Sequence, residues 1–206
     1  MTDPRTPCTV CGAMILLATA ARNDGLCMPC RNGTRQSMEE ARVRNREIRE
    51  AQGRFDDSPE GRYWRWLVDQ VHRTESGLEG LSIADQRYYM VSVVSGEVWR
   101  GGIGTYFDSS SGAYYDGTLA GLEELGLVEL RDVLKEAKMA LFGDEAVPMD
   151  EGVRWQRMYG QHDQLPDGVE VLLDRLSQRF CDAEKSLGLS AVLQAYAEKH
   201  KLYAAF

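Results

Sequence analysis

The sequence has no long hydrophobic run, little histidine and none of the short motifs that mark common catalytic or nucleotide-binding sites. Its longest apolar stretch, residues 12–21, is shorter than the ~18 residues that a membrane-spanning helix needs. The histidines His72, His162 and His200 are too far apart in the chain for the spacing of metal ligands. Neither a GxxxxGKS/T loop nor a GxSxG elbow is present, which excludes a P-loop and an α/β-hydrolase nucleophile. We therefore expect a soluble, cytoplasmic protein that is not an enzyme.

Charge is distributed unevenly along the 206 residues, which include 24 basic and 32 acidic side chains. Residues 1–54 contain 9 arginines, no lysine and 6 acidic residues, whereas residues 55–206 contain 15 basic and 26 acidic residues. This asymmetry predicts two parts with different partners. We expect the acidic part not to bind nucleic acid, because phosphate neutralisation supplies most of that affinity, and to attract a basic protein surface.

Four of the five cysteines are grouped near the start of the chain, as Cys8-x2-Cys11 followed, fifteen residues later, by Cys27-x2-Cys30. This spacing is typical of a zinc site, in which four thiolates surround the ion and each two-residue gap presents two sulfurs from one tight turn. Because all four positions are cysteine, no coordination position stays open for catalysis. We predict one structural zinc ion here, and the alternative is a pair of disulfides in an oxidising compartment.

The chain divides by composition into a four-cysteine zinc knuckle at residues 1–35, a charged linker helix at 36–54 and an acidic helical domain at 55–206. Within the knuckle, residues 14–17 predict one short strand. Gly12 and Gly25 lie where a turn around a metal favours positive φ.

The linker helix has glutamate and arginine four residues apart, but its apolar residues are too sparse for a wide buried stripe. We interpret it as a solvated helix that ends in the segment 53–59. The alternative is that Arg42, Arg46 and Arg49 form a face that contacts nucleic acid.

Beyond residue 57, capping residues and apolar side chains at helical spacing recur to the end of the chain. Ser58 before Pro59 predicts one helix start, and Ser82 with Asp85 resembles a capping box at another. Residues 91–98 leave a strand open as an alternative, because they are rich in valine. Further helices are predicted at 115–125, 128–142, 150–159 and 169–187, and in a last segment capped by Ser190. The fold class is therefore mainly α, a bundle-like helical domain preceded by the knuckle and the linker helix.

The stretch EVWRGGIGTYFDSSSG at residues 97–112 is followed by LEELG at residues 122–126. These segments resemble the pattern E-V-x-N-G-G-F-x-Q-Y-F-x-N-S-S-G, then L-x-x-I/L-G, of the DNA-mimic protein (DMP) family. The resemblance covers about residues 64–202, and the cysteine segment resembles a zinc-knuckle module of bacterial proteins. The matching positions of the signature are Glu97, Gly101, Gly102, Tyr106, Phe107, Ser110, Ser111 and Gly112, and the departures are Arg100, Ile103, Thr105 and Ser109.

The residues of the signature, taken by themselves, predict a structural role. Gly101 and Gly102 would end a helix, with at least one of them at positive φ. Tyr106 and Phe107 would anchor a loop in the core, and residues 110–112 would cap the next helix.

The resemblance implies a non-enzymatic protein whose acidic side chains imitate a DNA backbone and occupy a basic, DNA-binding protein such as a transcription regulator. The acidic residues on the predicted central hairpin and after it are the candidate partner-binding groups: Glu123, Glu124, Glu129, Asp132, Glu136, Asp144, Glu145, Asp150 and Glu151. The alternative function is a zinc-ribbon nucleic-acid-binding or regulatory protein whose helical domain forms a homodimer.

Overall fold

The computed structural model describes residues 4–160 and 164–206, so His162 lies outside the described residues. The chain separates into two compact units, Met1–Gly61 and Arg62–Phe206. The described residues are mainly α-helical, as the sequence predicts, and their sheet consists of two short strands. None of the helices in these ranges is long and apolar enough to cross a lipid bilayer.

The first unit contains a small sheet, two short helices and one long helix. These elements are β1 (Arg5–Pro7), β2 (Met14–Leu16), α1 (Leu17–Arg22), α2 (Met28–Arg31) and α3 (Arg35–Asp57). The strands pair antiparallel with Thr6 opposite Ile15, which confirms the predicted strand after the first cysteine pair. Gly12 and Gly25 have φ values of 70° and 78°, the left-handed conformation expected of both.

Helix α3 continues through Gly53 and ends at Asp57, within the segment 53–59 in which the sequence predicts its end. A glycine inside a helix costs only about 1 kcal/mol, and the Gln52 side chain spans it by donating to Asp56 Oδ1 at 2.9 Å. The helix ends at Ser58, whose hydroxyl accepts a hydrogen bond from the Gly61 N–H at 3.0 Å. Ser58 therefore caps the following helix, as predicted.

The second unit is a bundle of helices in which one long helix occupies the centre. Its helices are α4 (Pro59–Arg73, which begins at the end of the first unit), α5 (Ile83–Asp108), α6 (Tyr115–Glu124), α7 (Val128–Phe142), α8 (Glu151–Tyr159), α9 (Val169–Leu187) and α10 (Leu189–His200), with 3-10 turns at Gly77–Gly80 and Ser110–Tyr114. Helix α5 packs against α6, α8, α9 and α10, and α7 packs against α6, α8 and α9. Side chains with no exposed surface form the core, among them Val91, Val94, Ile103, Phe107, Leu122, Leu130, Val133, Leu134 and Phe180.

Local signals place most helix ends correctly, and two predictions fail. Residues 91–98 are helical, so the alternative of a strand is wrong. Ser190 lies inside α10 instead of capping it, because Gly188 in the left-handed conformation both ends α9 and immediately precedes α10. The Ser82 hydroxyl accepts from the Asp85 N–H at 3.2 Å, so the predicted cap of α5 is confirmed.

The signature glycines end the first helical segment of α5, with Gly102 at positive φ as the sequence predicts, and a second helical segment follows directly. Gly102 has φ 84° and ψ 175°, and residues 103–108 then resume the helix, so Tyr106 and Phe107 lie on a buried helical turn and not in a loop. The break frees backbone donors, and the Ile103 N–H is satisfied by Ser177 Oγ on α9 at 2.9 Å. The serines that follow form a 3-10 turn, with the Ser109 hydroxyl accepting from the Ser111 N–H at 3.3 Å.

Arg154 on α8 is completely buried, and its guanidinium joins two distant parts of the chain. It donates to the carbonyl oxygens of Phe107 at 3.0 Å and Ser109 at 2.6 Å, and to those of Pro148 and Met149, both at 2.8 Å. A Cβ at position 112 would lie 2.8 Å from Arg154 Nε and 2.7 Å from the Phe107 oxygen. The close approach of these groups explains why the signature has glycine at this position.

Replacement of Gly102 by alanine is expected to destabilise the second unit by about 1 kcal/mol or more. The alanine would have to keep the φ of 84°, which L-residues rarely adopt, and its Cβ would lie 2.9 Å from Ser177 Oγ. Urea unfolding followed by circular dichroism measures the effect. Gly96→Ala in the same helix is the control, because that Cβ meets nothing within 4 Å, and it should be neutral or stabilising. Equal behaviour of the two variants would contradict the strained-turn interpretation.

Arg154→Met is expected to destabilise the second unit by about 3 kcal/mol, because it removes a buried guanidinium that donates to four carbonyl oxygens. Arg157→Met on the same helix removes an exposed arginine paired with Glu145, and such surface pairs contribute about 0–1 kcal/mol. The difference between the two midpoints of chemical unfolding tests the role of the buried guanidinium. A loss below about 1 kcal/mol for Arg154→Met would show that the four carbonyls find other donors.

Candidate metal centre

The four N-terminal cysteines come together in the first unit. Their sulfur atoms all lie within 4.8 Å of one another, and the Sγ atoms of Cys11 and Cys27 are 3.6 Å apart. A metal–sulfur bond of about 2.3 Å gives a tetrahedron whose edge is about 3.8 Å, so this separation suits ligands of one ion. None of these cysteines forms a disulfide, and the four can therefore hold a metal ion together.

The turns around the cysteines fix the directions of the thiol groups. The Cys8 N–H donates to the Ala13 carbonyl at 2.9 Å and the Gly12 N–H to the Cys8 carbonyl at 2.9 Å, which closes the first turn. Cys27 stands just before α2, and its N–H donates to Cys8 Sγ at 3.2 Å. The hairpin and the N-terminal end of α2 therefore supply two sulfurs each.

The surroundings of the cysteines also change the pKa values of two of their thiol groups. The N–H groups of Cys11 and Cys27 lower the pKa of Cys8 to about 6, so this residue is a thiolate at neutral pH. Burial and the neighbouring thiols raise the pKa of Cys30 to about 12. A thiol that coordinates a metal cation loses its proton, because the positive charge stabilises the thiolate. The chemistry of this donor set therefore favours a bound cation.

The metal ligands are also the interior of the first unit. Between residues 4 and 60, only Cys8, Asn23 and Cys27 are buried. Met14, Leu17 and other apolar side chains of the unit are exposed, so no hydrophobic core holds the turns together. With four cysteine ligands the site has no open position, and a metal here stabilises the fold.

The acidic residues proposed from the sequence do not form one unpaired cluster. Five of them are ion-paired with arginine: Glu123 and Asp132 with Arg131, Glu124 with Arg87, Glu136 with Arg179, and Glu145 with Arg157. Within the described ranges, Glu129, Asp144 and Glu151 are exposed and form no ion pair. Glu129 lies in the first turn of α7 and Asp144 lies two residues after its end, so about 20 Å of helix axis separates the two positions.

Two of these acids lie at the N-terminal end of α8, and a third lies in the loop before it. Asp144 lies in the loop before α8, Asp150 caps the helix by accepting from the Val153 N–H at 2.8 Å, and Glu151 is its first residue. Asp108 at the end of α5 lies near Glu151. Burial and the negative charge of Glu151 raise the pKa of the Asp108 carboxyl group. Trp155, four residues after Glu151 and 40% exposed, shares that helix face.

Asp108 and Trp155 were not found by sequence reasoning. Asp108 belongs to the signature stretch, but its proximity to α8 depends on the buried Arg154, which joins the two segments. Trp155 lies at a helical spacing that is also typical of core residues, so its exposure is visible only in the structure.

Together, fold and site define a helical-bundle protein with an N-terminal unit whose four clustered cysteines can hold a metal ion. A family model described as DMP19-like protein matches residues 79–200, from the 3-10 turn before α5 to the end of α10. The match covers more than half of the chain, and the protein belongs to the DMP19-like family. No curated protein and no solved structure matches the sequence.

Elemental analysis of the purified protein is expected to give about one metal ion per chain, because four thiolates complete one tetrahedral shell. Cys27→Ser should lose the metal, whereas Cys181→Ser should keep it, since Cys181 is part of α9 in the second unit. Chelation should reduce the helical signal of the first unit only, because the second unit has its own core. Full metal content in Cys27→Ser, or collapse of the entire helical signal on chelation, would contradict this assignment.

Proposed function

We propose that the protein is a non-enzymatic, zinc-containing binding protein of the cytoplasm whose helical unit binds the basic surface of another protein. Membership of the DMP19-like family and the charge of the helical unit support this proposal. Residues 62–206 contain 23 acidic and 15 basic side chains. A partner that normally binds DNA would present a basic surface that fits this excess, and the helical unit would then act as a DNA mimic.

Zinc is the metal we propose for the four cysteines. Tetrahedral thiolate sets select zinc or iron, and zinc needs no redox chemistry to serve a purely structural role. The elemental analysis that counts the metal also identifies it. Iron in place of zinc would refute this part of the proposal without affecting the binding surface.

The single observation that carries the binding surface is the acidic end of α8. There Asp150 and Glu151 directly follow Met149, which is 73% exposed, and the exposed Trp155 lies one helical turn after Glu151. Binding interfaces commonly combine an aromatic anchor with a polar rim, and acidic rim residues speed association with a basic partner. The acids paired with arginine on α6 and α7 contribute less, because their charge is locally neutralised.

Capture with the immobilised full-length protein from a lysate of its source cells, followed by affinity measurement with the identified partner, tests the proposal. The double variant Asp144→Asn, Glu151→Gln should bind about tenfold or more weakly and with a smaller salt dependence. Asp150 is left unchanged because it caps α8. A duplex oligonucleotide should compete for the same partner.

The matched control is Glu75→Gln, Glu79→Gln, which removes the same charge from exposed positions around the first 3-10 turn. It should retain the affinity of the unmodified protein. Equal weakening by both double variants would indicate a general charge effect. A complex that is insensitive to salt and to competing DNA would refute the proposed surface.

A further inference from the structure

Helix α3 carries its arginines along one side. Arg35, Arg42, Arg46 and Arg49 fall within an arc of about 60° at 3.6 residues per turn, and they extend over about 21 Å of the helix axis. We call these four residues the arginine face. At the same 3.6 residues per turn, the other two arginines of the helix, at positions 44 and 54, lie outside this arc.

The arginine face is open to solvent, and half of it has no acidic partner. Arg42 donates to Glu39 at 2.9 Å, and Arg35 lies 3.5 Å from the same carboxylate, so a single acid serves both. Arg46 and Arg49 form no ion pair with any described residue, and all except Arg35 are exposed. The helix buries none of its 23 residues, so packing does not account for the pattern.

We propose that the arginine face binds the phosphate backbone of nucleic acid. Guanidinium groups bind phosphate oxygens in a bidentate manner, and the first 54 residues contain 9 arginines and no lysine. Side chains three to four residues apart on a helix are separated by about 5–6 Å, comparable to the spacing of successive phosphates along a strand. The proposal concerns the first unit and is independent of the binding surface on α8.

An acidic helix is the other polyanion that this face could accept, and the sequence of α3 disfavours it. A helix partner needs an apolar seam, and few large apolar side chains flank the arginine face, namely Met38, Ile48 and Phe55 on one side and Val43 on the other. Asn45 and Gln52 interrupt that seam. Phosphates require no such seam, because charge and hydrogen bonds supply the affinity.

The cysteine cluster fixes where the arginine face begins. The Thr34 N–H, one residue before α3, donates to the Pro29 carbonyl within α2 at 2.9 Å, and the Met38 N–H donates to the Thr34 carbonyl at 3.1 Å. Pro29 stands between the two cysteines of the second pair. The metal ligands and the first turn of the arginine helix are therefore joined through the backbone.

Fluorescence anisotropy with the full-length protein and labelled 20-nucleotide probes (single-stranded DNA, duplex DNA and single-stranded RNA) tests the proposal. Binding should be measurable at about 50 mM salt, and four phosphate contacts predict a slope of log K against log salt of about −3. The triple variant Arg42→Gln, Arg46→Gln, Arg49→Gln should bind at least about tenfold more weakly and reduce the slope by about 2. Glutamine preserves the helix, because its propensity is close to that of arginine.

The matched control is Arg22→Gln, Arg44→Gln, Arg54→Gln, which removes the same charge from the same unit outside the arginine face. It should change the affinity less than threefold, and circular dichroism should show both variants as helical as the unmodified protein. Equal losses in both triple variants would overturn the proposal. Absence of binding to all three probes at low salt, or stronger binding to polyglutamate than to any oligonucleotide, would also overturn it.

Discussion

The helical unit depends on the break in α5 at Gly102. A continuous helix through residues 83–108 would carry the segment 103–108 outward, whereas the break directs Ile103, Tyr106 and Phe107 into the core, where each is at most 1% exposed. The break also frees the Ile103 N–H, which donates to Ser177 Oγ, and Arg154 donates to the Phe107 carbonyl at the C-terminal end of the same helix. The Gly-Gly to Ser-Ser-Gly stretch of the family signature is thus a folding element.

The first unit, unlike the helical unit, buries almost no side chains. A hydrophobic core stabilises through apolar area removed from water, and the exposed methionines and leucines of this unit contribute little of it. Four convergent thiols can take the place of a core when they hold a metal, since a metal that binds only the folded arrangement adds its binding free energy to folding. The two units therefore depend on different physical terms, and they are expected to respond differently to chelators and to denaturants.

What the sequence predicts well is local. The cysteine spacing, the caps at Ser58 and Ser82, and the bounds of α7 and α9 follow from residues within a turn or two of each feature. The misses depend on partners far along the chain. The resumption of α5 requires Ser177, 75 residues after Gly102, and the buried state of Arg154 requires carbonyls 45 and 47 residues before it. Because arginine is usually exposed, the sequence alone does not predict that Arg154 is buried.

The candidate acidic site shows the same limit for charge. Sequence counts the carboxylates but not their partners, and five of the nine predicted acids form ion pairs with arginine. Each such pair adds little stability at the surface. It nevertheless cancels much of the electrostatic field of the carboxylate, and salt at physiological concentration screens the remaining field within about 8 Å. The net charge of a unit therefore overstates the charge that a partner would meet, because only the unpaired groups present it in full. Among the nine predicted acids, Glu129, Asp144 and Glu151 are the ones that are exposed and form no ion pair with any described residue.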